Sequence, residues 1–123
     1  MGISVSGNIG AVKSRYDALR SLSAGSIIVS QYVAVGAVFS NPVRILKIQN
    51  LTNANLFISF DGITNHDIIP ANAGEVYDIC SNAALASGLL ETPAGQRVYV
   101  MPESVAPTVG TAVYVTVQYA SAV

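Results

Sequence analysis

The stretch Pro42 to Gly74, PVRILKIQNLTNANLFISFDGITNHDIIPANAG, strings short apolar segments between turn residues. Ile, Leu, Val and Phe fill the segments, Asn, Thr and Gly sit where the chain must reverse, and Lys, Arg, Asp and Glu are sparse. β-Branched and aromatic side chains suit a pleated, half-buried surface, whereas Asn and Gly tolerate the backbone conformations of turns. The stretch therefore predicts strands over Val43 to Gln49, over Asn55 to Phe60 and at Ile68-Ile69, the last halted by Pro70. Asp61-Gly62 directly after Phe60 is a strong signal for a tight hairpin, because Gly accepts a positive φ. The polar run Thr64-Asn65-His66-Asp67 offers a longer loop as the alternative carrier of that reversal.

Ser26 to Val35 reads as a strand closed by Gly36, Asn41 and Pro42. Glu75 to Cys80 alternates, with Val76, Asp78 and Cys80 on one side and Tyr77 and Ile79 on the other. Arg97 to Met101 precedes a connecting loop set by Pro102, Pro107 and Gly110. Thr111 to Tyr119 then keeps a strict period of two: Val113, Val115, Val117 and Tyr119 face one way and Ala112, Tyr114, Thr116 and Gln118 the other. About seven or eight short strands at this spacing predict an all-β chain, a single antiparallel β-sandwich or jelly roll over residues 25–123.

Residues 1–24 read as an arm. Val12, Tyr16 and Leu19 fall at i, i+4 and i+7, which predicts a short helix between Gly10 and Gly25, with Lys13, Arg15, Asp17 and Arg20 on its other face. A helix of about three turns is marginal in water unless its apolar stripe is docked, so the arm must pack on its own sandwich or on a neighbour. The former is preferred.

Composition bounds the function. The 123 residues are 51% hydrophobic and only 11% charged, with mean hydropathy +0.49. No run of about 18 apolar residues is present to span a bilayer, so a membrane is not an expected partner. With so little charge to cover a monomer, burial of surface against other subunits is expected. The net charge of −1 divides along the chain. Through Asn50, Lys13, Arg15, Arg20, Arg44 and Lys47 face one acid, Asp17; thereafter Arg97 stands against Asp61, Asp67, Glu75, Asp78, Glu91 and Glu103. Such halves either form opposite patches that orient identical subunits or scatter over a folded surface. Met1 to Gly10 lacks the basic and apolar regions of a secretory peptide, so export by that route is not expected.

Catalytic constellations are not evident. Cys80 is the single cysteine, in an alternating segment that makes it a buried strand residue. His66 is the single histidine, which excludes a histidine-based metal cluster within one chain. Asp61, Thr64, Asn65, His66 and Asp67 form an oxygen-rich loop, but Ile63 stands where an EF-hand-like loop needs an oxygen, and an Asx-stabilised turn is the better account. No GxSxG, HExxH, GxxxxGK[ST] or paired-cysteine motif is present. A hydrolase would need His66 to find a nucleophile. No cofactor or metal is expected. With a pI near 5.6, nucleic acid is not an expected partner, although Lys13, Arg15 and Arg20 make one local basic face. The six tyrosines, Tyr99, Tyr114 and Tyr119 among them, keep open a second class, a glycan- or receptor-binding module.

The arrangement from Asn41 to Asn82, followed after a gap by RVYVMPESVAPTVGTAVYVTVQYA (Arg97 to Ala120), resembles small virion structural proteins of tailed bacteriophages. The residues that carry the resemblance are the N-L-T turn after the first strand, the strand ending in S-F-D-G, and the late P-T-x-G-x-x-Y-V strand. It implies a non-enzymatic β-sandwich subunit of a homo-oligomer, at the head-to-tail connector, neck or tail ring, or as a capsid decoration protein. Its implied partners are copies of itself and the portal, tail or major capsid protein. The implied location is the virion, assembled in the host cytoplasm. No active site is carried over. A terminal arm is a common way to fasten subunits, which makes Val12, Arg15, Tyr16, Leu19 and Arg20 the candidate assembly residues.

Overall fold

The computed structural model describes residues 12–79 and 95–122. Nine strands are seen there: β1 (Val12–Tyr16), β2 (Arg20–Ser23), β3 (Val33–Val35), β4 (Val43–Asn50), β5 (Leu56–Ser59), β6 (Asp67–Ile69), β7 (Ala73–Asp78), β8 (Val98–Pro102) and β9 (Ala112–Ala122). One 3-10 turn, Ala24–Ser26, follows β2. The first sheet runs β1-β9-β4-β7 with β2 also on β9, and the second runs β3-β8-β5-β6. Every pairing is antiparallel. The two sheets form a β-sandwich.

Alternation builds the core. Val113, Val115 and Val117 of β9 lie beside Leu46 and Ile48 of β4 and meet Leu56, Ile58, Val98 and Val100 from the facing sheet, all essentially inaccessible to solvent. Each such side chain contributes about 1.5–3 kcal/mol on burial. The strict period read from Thr111 to Tyr119 holds as far as Gln118, where the register against β4 shifts. A bulge there fits both neighbours, because Val43 and Leu46 are both buried on β4 although they are three apart.

The helix expected between Gly10 and Gly25 is not formed: β1 and β2 occupy residues 12–16 and 20–23. Together they act as one interrupted edge strand along β9, β1 pairing with Gln118–Ala122 and β2 with Ala112–Val115. Eleven residues of β9 offer more backbone partners than an isolated short helix could supply, so non-local pairing overrides the helical spacing. The boundary drawn after residue 24 therefore cuts through the first sheet. Residues 1–11 fall outside the described residues, as does Cys80.

Ser26 to Val35 is a strand only at its end. Ser30 takes φ 64°, a left-handed conformation that no strand continues through. The reversal between β5 and β6 is a longer loop over residues 60–66, not a two-residue hairpin: Ile58 pairs with Asp67, and the His66 N–H donates to the Ile58 carbonyl at 2.8 Å.

Two polar devices hold the connections. At one end Asn50, fully buried, donates through Nδ2 to the carbonyls of Ala54 (2.8 Å), Ile69 (3.0 Å) and Pro70 (3.1 Å). Its Oδ1 accepts from Thr52 N (3.1 Å) and Thr52 Oγ1 (2.6 Å). This is what the N-L-T turn does: it ties the crossing from β4 to β5 to the end of β6. Near the other end, the carbonyls of residues 36 to 39 are each taken up. Arg97 Nη2 donates to Gly36 O (2.5 Å), Arg20 Nε to Ala37 O (3.0 Å), Arg20 Nη2 to Val38 O (3.1 Å) and Gly95 N to Phe39 O (2.9 Å). Gly36 sits at φ 73° against Arg20, where an added Cβ would lie 2.7 Å from Arg20 Cγ. Only glycine meets both conditions.

Candidate functional site

The five candidate assembly residues divide. Val12 takes part through backbone pairing with Ala122, and Arg15 pairs with Tyr119. Tyr16 and Leu19 are 69% and 61% exposed, open to a partner. Arg20 is not: its side chain is 9% exposed, bonded to Ala37, Val38 and Asp17, and its guanidinium lies 5.2 Å from the Phe39 ring centre. Arg20 therefore fastens a loop of its own subunit, and its place in an assembly surface is withdrawn.

Folding mixes part of the charge division. β4, carrying Arg44 and Lys47, pairs along its length with β7, carrying Glu75 and Asp78. The basic and acidic halves interleave within one sheet.

The loop holding His66 is a turn. Asp61 Oδ1 accepts from Ile63 N and Thr64 N, both at 2.8 Å, and from Ser59 Oγ at 2.8 Å. Ser59 Oγ accepts from Gly62 N at 2.9 Å. His66 Nδ1 accepts the Phe60 N–H at 3.0 Å, so the lone pair a general base would use is engaged, and Nε2 faces Asp61 Oδ2 at 4.0 Å. Among the described residues no three His, Cys, Asp or Glu side chains gather into a metal-binding group.

The backbone N–H bonds from Thr64 and Ile63 hold the Asp61 carboxyl well below the usual carboxylate range. A group with its folded pKa depressed stabilises the fold above its unfolded value of about 3.9, and that contribution fades as pH falls through the folded value. In Asp61→Asn the side chain still accepts the turn bonds without ionising. The gap in unfolding midpoint between wild type and variant is thus expected to be widest above about pH 5 and to narrow towards about pH 2. A gap constant with pH, followed by circular dichroism, would contradict this electrostatic account.

Where the two sheets meet beside β7, Tyr77 donates to Asp67 Oδ2 at 2.5 Å and packs edge-on against Phe60 at 5.8 Å. Burial first, and then the Asp67 bond, push the Tyr77 phenol far above its ordinary value, so it serves as a donor and not as a base. The cleft next to it, 230 Å³, is lined by Leu46, Phe60, Tyr77, Ile79 and Gln96. Among the described residues one phenol and one amide are its polar side-chain groups, and these supply no nucleophile paired with a base.

What the fold does present is apolar outer surface. On the first sheet, Tyr16, Ile45, Lys47, Val76, Thr116 and Gln118 line a shallow groove, with Val76 60% exposed. On the second sheet, Ala34, Tyr99, Met101, Phe57 and Ile68 stand in adjacent register on the face away from the core. At the end of the sandwich held by Asn50, Leu51, Val105 and Val109 are exposed on loops tied together by the Leu51 N to Ala112 O and Thr108 N to Asn53 Oδ1 bonds. The sequence names individual assembly residues only on the arm. The period-two strands already contained the outward rows, but only sheet order shows which rows lie side by side.

No family model, curated protein or solved structure matches this chain. No helix among the described residues is long and apolar enough to cross a membrane.

Proposed function

We propose that the chain is a non-enzymatic structural subunit of a tailed-bacteriophage virion, working as a homo-oligomer. The observation that carries this reading is the half-buried apolar row on the outer side of the second sheet, with exposed Ile68 beside it, joined by exposed Tyr16, Leu19 and Val76. A monomer gains nothing from such surface, whereas an assembly buries it. The motifs behind the phage resemblance also have structural tasks: Asn50 and Thr52 pin a crossing, Ser59 and Asp61 shape a turn, and Thr108 N bonds Asn53 on the neighbouring loop. They supply turns rather than reactive groups, which suits an assembling subunit.

The position in the particle rests on the resemblance: neck, head-to-tail connector or tail ring first, capsid decoration as the alternative. Portal, tail or major capsid protein is the corresponding neighbour, the virion the location and the host cytoplasm the place of assembly. The test is a density map of virions produced from the genome that carries this chain. Repeated copies of the sandwich with their outer sheet faces covered are expected; complete particles without the chain would overturn the reading.

A further inference from the structure

The outward row of β8 is self-complementary. Val98, Val100 and Pro102 point into the core, so Arg97, Tyr99, Met101 and Glu103 follow one another in steps of two along the outer side. The row is basic at one end, acidic at the other and apolar between. Arg97 lies with its guanidinium 5.8 Å from the Tyr99 ring centre, and exposed Glu103 accepts from Asn55 Nδ2 at 3.2 Å. Phe57 stands opposite Met101, Ile68 opposite Phe57 and Ala34 opposite Tyr99, so apolar side chains occur on all four strands, while on the β5 side Tyr99 faces fully buried Ser59 and the Gly62 turn packs against its ring.

We propose that this face binds the same face of a second copy of the chain, with the two β8 strands antiparallel across a two-fold axis opposite Val100. That axis sets Tyr99 over the partner's Met101 and Arg97 over the partner's Glu103, each contact occurring twice, as an isologous interface requires. Thioether against aromatic ring is a favourable contact, and sheet faces of this kind stack at about 10 Å. The end charges select the antiparallel arrangement, because a parallel one would bring like charges together. A copy of itself is the partner chosen because a row charged oppositely at its two ends matches its own reverse. The layout of an aromatic and methionine centre with a polar rim is that of protein interfaces.

The inference rests on the assembly reading, and sedimentation velocity on the full chain over a range of concentrations separates the two. Wild type is expected to show a concentration-dependent dimer or a multiple of it. Met101→Lys is expected to weaken that step at least about 100-fold, since it buries a charge without a partner. Glu103→Arg, at an exposed position, is expected to weaken it about tenfold at low salt by facing Arg97 with a like charge. Glu75→Lys, at an exposed position on the other sheet, is expected to leave the dimer step intact, and melting curves check that all variants are folded. Association unchanged by both Met101→Lys and Glu103→Arg removes this interface and leaves the assembly reading standing. A wild type monomeric throughout removes both.

Discussion

Asn50→Ala is expected to lower unfolding free energy by about 3–5 kcal/mol, as much as truncating a large core side chain. The side chain is fully buried, its two Nδ2 hydrogens are shared among the carbonyls of Ala54, Ile69 and Pro70, and its Oδ1 accepts two bonds from Thr52. Its removal leaves these groups without that partner in a place water does not reach, at about 1–3 kcal/mol for each group left unmade. The sum is not simply additive, since Thr52 Oγ1 can still reach Ala54 O at 3.2 Å and the loop can relax. Asn50→Asp tests the donor side separately. A carboxylate keeps the acceptor for Thr52 but turns repulsive oxygen towards three carbonyls, so it should be at least as damaging as Ala at neutral pH. Urea unfolding is the measurement; a loss under about 1 kcal/mol for Asn50→Ala would mean that the end of the sandwich does not depend on this network.

Arg20→Ala is expected to lower stability by about 2–3 kcal/mol, or roughly 10 °C in melting temperature. The substitution strips donors from the Ala37 and Val38 carbonyls, ends the pair with Asp17 and removes the alkyl stem that packs on Gly36. Arg20→Lys should recover less than half of the loss, because an ammonium cannot reproduce the fork that reaches two carbonyls and a carboxylate. Association should be unaffected at temperatures where the variant is folded. Wild-type stability with lost association would instead return Arg20 to an interface.

These two residues show where sequence reading stops. Strands β4, β5, β8 and β9 were legible because each carries its own alternation of apolar and polar residues, and a sandwich follows from their number and spacing. The arm was misread because Val12, Tyr16 and Leu19 fit a helical face, while the fact that decides against it, the unpaired length of β9, lies about a hundred residues away. Asn50 and Arg20 have no local signature. Asn50 bonds across to Ile69 and Pro70, and Arg20 to Ala37 and Val38, so their roles exist only after the sheets have brought distant segments together.

The candidate surface was half legible for the same reason. Low charge and high hydropathy foretold buried surface between subunits but not its location. Tyr16 and Leu19 were found on the arm, and both are exposed. Arg97, Tyr99, Met101 and Glu103 alternate in plain view, but alternation alone cannot say which side of a strand meets the core and which meets a neighbour. Sheet order supplies that, by placing Phe57 and Ile68 beside the row and Leu56, Ile58 and Ile69 behind it.

Native mass spectrometry of the purified full chain tests self-assembly most directly. Discrete species at integer multiples of 12.8 kDa that persist at low micromolar concentration are expected. A single 12.8 kDa species at every concentration, paired with saturable binding on a glycan array, would contradict it and make the protein a recognition module.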